Sequence, residues 1–262
     1  MTVAGGSFGV LLDIDGVLYV GDEPIEGAHD ALAELRRLGG GVRFLTNTTS
    51  RSRREVVEHL CELGFTVALE EVLTPAAMAV RHCQERGYES IAMLVSDKLR
   101  EDLAPLEGSS ASARTDALIL GDLGDGFTPE VLNGAFRLLV DGTELVTLQH
   151  NRYWRRKDGL ALDVGAYSAA LEYATAREAF VVGKPAEAFF QTAVQDMGLE
   201  RAIMVGDDVE ADVGGAMAAG FAGILVRTGK YRADALTARV TPTAIVDSIA
   251  DVPSLLERIL GG

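Results

Sequence analysis

Cysteine is nearly absent: Cys61 and Cys83 are the only two in 262 residues. Both fall in helical patterns, and two isolated thiols make no disulfide framework, so they read as reduced structural residues. No apolar run reaches the ~18 residues that a spanning helix needs. The opening stretch, Met-Thr-Val-Ala-Gly-Gly-Ser-Phe, has neither a basic start nor a long apolar segment. The expectation is a cytoplasmic protein with no membrane association. Basic residues are also scarce: 24 Lys and Arg stand against 39 Asp and Glu, a formal charge of −15. A nucleic-acid partner needs a basic face, so that class is excluded. There is one tryptophan, Trp154, and there is no internal repeat or low-complexity tract.

What is present is a large apolar fraction, 48%, enough for a packed core and too much for disorder. It falls into short apolar runs alternating with helical spacing, the signature of a parallel sheet flanked by helices. The run Phe8 to Leu12 reads as a strand buried on both faces. Asp13, Ile14, Asp15 and Gly16 follow it. Side chains alternate with period two, so both carboxylates can face one way while Ile14 faces the core. Gly16 then allows a sharp turn. Two carboxylates at the carboxyl end of a buried strand lie where open α/β sheets bind ligands. An acidic turn with no further role is the plain alternative.

Three further stations end apolar runs. Thr46-Asn47 follows Val42 to Leu45, Lys184 follows Ala179 to Val182, and Gly206-Asp207-Asp208-Val209-Glu210-Ala211-Asp212 follows Ala202 to Val205. If the sheet aligns these strands, Asp13, Asp15, Asp207, Asp208 and Asp212 bring five carboxylates to one crevice. Like charges about 4 Å apart repel by ~4 kcal/mol at an effective dielectric of ~20. Lys184 alone cannot balance five acids. A divalent cation can, and hard oxygen donors without histidine or cysteine favour magnesium over zinc. Asp208 and Asp212 can equally be acids at a helix N-terminus, favoured by its dipole.

The stations lie before about residue 75 and after about 180, and the middle third carries none. The middle third has its own α/β pattern: helices at Pro75 to Arg86 and Pro129 to Val140, strands at Ser90 to Val95, Asp116 to Leu120 and Glu144 to Leu148, loops at Gly108 to Ser112 and Gly121 to Gly126. The layout implies an α/β protein, a Rossmann-like doubly wound parallel sheet built from 1–75 and 180–262, with an α/β domain, 76–179, inserted into it. The stretch Gln149 to Gly159 concentrates Arg152, Trp154, Arg155, Arg156 and Lys157 in an acidic chain. It reads as a loop, either a solvated basic one or a substrate contact, and Trp154 as either packing or specificity. His29, His59 and His82 fall in helical patterns and read as structural.

In order and spacing, Asp13-Ile14-Asp15-Gly16, Thr46-Asn47, Lys184 and the Asp207 station resemble the haloacid dehalogenase superfamily over nearly the whole chain, in its large-cap p-nitrophenyl phosphatase-like branch. The resemblance implies a magnesium-dependent phosphatase acting on a small phosphorylated metabolite, including phosphoamino acids or pyrophosphate, through an aspartyl-phosphate. It implies Asp13 as nucleophile, Asp15 as general acid and base, and Thr46, Asn47 and Lys184 on the phosphate. It further implies magnesium on Asp13, the Asp15 backbone carbonyl and Asp207, with Asp208 and Asp212 behind these ligands. Cap-borne homodimers occur in the branch. One departure is visible: Thr48 stands where many relatives have a second asparagine. A phosphomutase or phosphotransferase, and a phospho-aspartate signalling switch, use similar residues; Asp15, a base two residues from the acceptor, argues against the switch.

Overall fold

The computed structural model describes residues 7–107, 114–156, 159–232 and 240–260. The expected loop at Gly108 to Ser112, Lys157 and Asp158 lie outside the described residues. The chain forms two compact units. One runs to Thr46, takes up Val56–Leu73 and resumes at Lys184; the other comprises Asn47–Glu55 and Thr74–Gly183.

The first unit is organised on a six-stranded sheet in the order Ala244–Val246, Ala222–Val226, Ala202–Gly206, Gly9–Asp13, Gly41–Leu45, Val72–Leu73, with every neighbour parallel. All five residues of Gly9–Asp13 are buried, as a continuous apolar run covered on both faces requires. Helix Ala28–Leu38 buries Ala28, Ala31, Leu32 and Leu35 in the core that also holds Val10, Leu12 and Phe44. Because the first strand is central, later strands add on either side of it. The strand order reverses between Gly9–Asp13 and Ala202–Gly206, and open α/β sheets bind ligands at such a switch point. Asp13 ends one of these strands and Asp207 follows the other.

The second unit has a four-stranded parallel sheet in the order Phe180–Val181, Glu144–Thr147, Ala117–Leu120, Ile91–Leu94. Thr-Pro pairs start two of its helices. Thr74 Oγ1 accepts the Ala77 N–H (3.3 Å) before Pro75–Glu85, and Thr128 Oγ1 accepts the Val131 N–H (3.4 Å) before Pro129–Val140.

Three local readings are corrected. The strand expected to reopen the main sheet at 180 pairs instead with Glu144–Thr147 in the inserted sheet; an apolar run carries no label saying which sheet it joins. Part of the basic stretch is strand rather than loop: Tyr153–Arg156 pairs antiparallel with Gly159–Leu162. Tyr153, Trp154, Leu160 and Leu162 are all exposed, so the apolar residues of these strands do not mark a buried face. The helix expected from Val209 opens with π-helical turns over Val209–Gly214 before Gly215–Ala218. Two of the helical histidines pack against neighbours: His82 Nε2 lies 2.9 Å from Glu144 Oε2 and its ring stacks on Phe180, and His29 stacks on Phe65. Among the described residues no helix is long and apolar enough to cross a membrane.

Candidate active site

Asp13 closes its strand opposite Leu45 and is buried. Ile14 turns into the core, Asp15 emerges into solvent, and Gly16 takes φ +87°. The Tyr19 hydroxyl donates to Asp15 Oδ2 (3.3 Å). The glycine is required twice over: the turn is left-handed, and a Cβ at position 16 would run into the Asp207 carboxylate. Gly229 is held to the same condition by the same carboxylate.

Lys184, 3% exposed, donates from Nζ to Asp13 Oδ1 (2.6 Å) and to the Leu45 carbonyl (3.2 Å), and pairs with Asp212 Oδ1 (2.6 Å). Burial pulls its pKa down, but the charges of Asp13 and Asp212 outweigh this and hold the ammonium above its ordinary value. Asp212 Oδ2 accepts the Asp208 N–H (3.1 Å). The Asp208 side chain is engaged elsewhere: its Oδ1 accepts from the N–H groups of Glu210 (3.0 Å) and Ala211 (2.9 Å), capping the helical turn that carries Asp212.

Asp207 is 1% exposed. Its Oδ2 accepts the Lys230 N–H (2.6 Å), while its buried Oδ1 has no hydrogen-bond partner among the described residues. Carboxylate oxygens of Asp13, Asp207 and Asp212 all lie within 4.8 Å of one another. Burial first, then the charges of Asp13 and Asp212, push Asp207 up to about 8. Burial and the charge of Asp13 push Asp212 up to about 6. Three carboxylates against one buried ammonium leave a negative pocket with one orphaned oxygen. A small divalent cation bound by hard oxygens fits that donor set.

Thr46, also buried, sits one residue beyond Leu45, the strand partner of Asp13, and its N–H donates to the Leu73 carbonyl (3.3 Å). Asn47 belongs to the second compact unit. Arg152 and Trp154 lie in that unit at the start of the antiparallel hairpin; Trp154 is 39% exposed, so it is no buried core residue. Residues not read from the sequence are Thr228, Gly229 and Lys230. Thr228 Oγ1 donates to the Gly16 carbonyl (2.5 Å), and the Lys230 backbone holds Asp207. Desolvation lowers the Lys230 pKa, but Asp13 and Asp207 more than offset it. The signal was available: Thr-Gly-Lys stands just past a buried strand, as the other stations do.

The family model described as haloacid dehalogenase-like hydrolase matches residues 10–107, and a second, HAD-hydrolase-like, matches residues 181–252. Human haloacid dehalogenase-like hydrolase domain-containing protein 2 is 42% identical over 226 residues, 86% of this chain and 85% of its own. The phospholysine phosphohistidine inorganic pyrophosphate phosphatase of Bos taurus is 41% identical over 260 residues, 96% and 94%. Among solved structures, the 4-nitrophenylphosphatase of Thermotoga maritima superposes with a TM-score of 0.86 at 26% identity, covering 95% of this chain and 97% of its own. The glycerol phosphate phosphatase of Mycobacterium tuberculosis, in complex with magnesium, gives 0.82 at 29%, covering 95% and 77%. The chain belongs to the haloacid dehalogenase-like hydrolases. Within them it is a hydrolase of the phosphatase type, with an α/β core sheet and a separate inserted parallel sheet.

Proposed function

We propose that this chain is a magnesium-dependent phosphatase that hydrolyses small phosphate monoesters through an aspartyl-phosphate on Asp13. The observation that carries this reading is the buried cluster at the switch point: Asp13 gripped at Oδ1 by Lys184, beside the orphaned Asp207 Oδ1. Magnesium would be held by Asp13, the Asp15 backbone carbonyl and Asp207; when bound it supplies positive charge to the phosphoryl oxygens. Its relative crystallised with magnesium supports the choice of ion.

A carboxylate oxygen of Asp13 attacks phosphorus, and the bond to the leaving oxygen breaks. Asp15, solvent-exposed and braced by Tyr19, gives its proton to that oxygen. Asp15 then takes a proton from water, whose oxygen attacks the phosphorus. The Asp13–phosphate bond breaks and inorganic phosphate leaves. Lys184 orients Asp13 and offers charge to the phosphate; Thr46 and Asn47 offer hydrogen bonds to it. Asp212 and Asp208 brace the cluster. The substrate class is the one the relatives' names span, small phosphorylated compounds that include phosphoamino acids and pyrophosphate. Arg152 and Trp154 contribute to choosing among them.

Rapid-quench labelling tests the reading. Asp13→Asn should give no phosphoenzyme and no turnover, because an amide does not form the aspartyl-phosphate. Asp15→Asn should accumulate phosphoenzyme with a good leaving group such as p-nitrophenolate. Wild-type-like turnover in folded Asp13→Asn would falsify the mechanism, and transfer of the phosphoryl group to an added alcohol in preference to water would make the enzyme a phosphotransferase.

A further inference from the structure

The residues that follow the Thr46 station are held by an unexpected element. Residues 47–55 form a compact unit with the inserted chain, and three consecutive positions there are tied to the short helical segment Asp97–Leu103. The Arg53 N–H donates to Asp102 Oδ2 (2.8 Å). The Arg54 guanidinium binds both oxygens of Glu101, Nε to Oε1 (3.0 Å) and Nη2 to Oε2 (2.7 Å). Lys98 Nζ lies 3.2 Å from Glu55 Oε1.

These links are unequal. The Arg54–Glu101 and Lys98–Glu55 pairs are largely exposed, and exposed ion pairs contribute little. Asp102 is different. It is part-buried, and burial raises its pKa against the pull of the Arg53 N–H. Its acceptor is aimed at the first N–H of helix Arg53–Glu62, a group with no partner inside the helix. Ser52 and Glu55 already form a reciprocal cap: Glu55 N–H to Ser52 Oγ (3.2 Å), Ser52 N–H to Glu55 Oε2 (3.0 Å). Asp102 therefore adds a second anchor, from a residue about fifty positions away, to a helix start that caps itself. Between this anchor and the end of the Gly41–Leu45 strand lie only Thr46 to Ser52.

We infer that Asp102 is a positioning residue for phosphate binding: by fixing the Arg53 end of the segment that begins at Asn47, it sets where Asn47 presents its hydrogen bonds. The inference rests on the phosphatase reading above, in which Thr46 and Asn47 hold the phosphoryl group. Asp102 touches no reacting atom. Its carboxylate also occupies the helix N-terminus, so that end is not open to an anion. A neutral acceptor of the same shape keeps the anchor; a methyl group does not.

The test compares Asp102→Asn and Asp102→Ala in the full-length protein, with p-nitrophenyl phosphate as substrate and inorganic phosphate as competing ligand. Asp102→Ala should raise both KM and the phosphate inhibition constant about ten-fold, a change of about 1.4 kcal/mol. Its kcat should stay within about two-fold and its magnesium activation midpoint should not move. Asp102→Asn should restore KM and phosphate inhibition to near the wild-type values. A folded Asp102→Ala with wild-type KM and phosphate inhibition, only its Tm lowered, overturns the inference. So does an Asp102→Asn variant as impaired as Asp102→Ala. Should the wild-type protein release no phosphate with magnesium present, the phosphatase reading itself fails, which separates the two.

Discussion

Asp207 concentrates the electrostatics of the site in one side chain. Its carboxyl sits at about 8 in the absence of a cation, against an ordinary 3.8, and Asp212 at about 6. Both folded values lie above the unfolded ones, so the folded state keeps protons that the unfolded chain releases. Their contribution to stability is complete below about pH 4 and is lost as pH rises, through 6 for Asp212 and through 8 for Asp207. Chelated protein should therefore show a Tm that falls between pH 5 and 8. Saturating magnesium should remove that fall, because a bound cation favours the ionised carboxylates. Asp207→Asn should flatten the chelated profile and abolish the magnesium-induced rise. Thermal scans across this pH range, with and without magnesium, give the answer; a chelated Tm that rises from pH 5 to 8 would contradict the assignment. Lys184 presents the converse case. Removing it in Lys184→Ala leaves Asp13 and Asp212 buried without their counter-charge, so denaturant unfolding of the chelated protein at pH 8 should register a loss of about 3–5 kcal/mol.

At the scale of the element, the turn after the first strand is where backbone and carboxylate cluster constrain each other. Gly16 and Gly21 both have positive φ, +87° and +66°. Nothing stands near a Cβ at position 21, whereas one at position 16 strikes the Asp207 carboxylate. Gly21→Ala should cost only left-handed strain, about 1–2 kcal/mol, and keep its activity. Gly16→Ala carries the same strain and displaces Asp207, so it should lose more than ten-fold in kcat/KM and most of the magnesium-induced Tm shift. Equal behaviour of the two variants in paired kinetic and thermal measurements would remove the turn from the account of metal binding. The motif was legible because a strand end, two acids and a glycine are a local pattern. The demand on Gly16 was not, because the clashing group comes from a strand about 190 residues later.

At the scale of the whole molecule, a formal charge of −15 repels an anionic substrate, and local cations matter against that background. Arg152 opens an antiparallel hairpin whose Tyr153, Leu160 and Leu162 are more than half exposed. If Arg152 steers phosphorylated substrates, Arg152→Gln should lower kcat/KM for a dianionic substrate at low ionic strength and converge on wild type near 0.5 M salt, where the screening length is only a few ångström. A loss independent of salt would mean a direct contact or a folding defect rather than steering. Trp154, 39% exposed, should cost much less on Trp154→Ala than the ~3–5 kcal/mol of a buried ring. A change in kcat/KM for metabolites larger than that for p-nitrophenyl phosphate would place Trp154 in substrate choice.

The sequence alone carried the alternation of buried strands and helices, the stations at Asp13, Thr46, Lys184 and Asp207, and an acidic cluster able to take a cation. Each of these is written in contiguous residues, as a run, a period or a strand end followed by a turn. Tertiary structure was needed to show which sheet Phe180–Val181 joins, that Tyr153–Arg156 pairs antiparallel with Gly159–Leu162, that Asp208 caps while Asp212 meets Lys184, and that the Lys230 backbone holds Asp207. It alone showed that Asp102 anchors the helix after Asn47. These features are pairings between distant segments. Their free energy depends on the partner and its register, and neither the period nor the composition of one segment specifies the other.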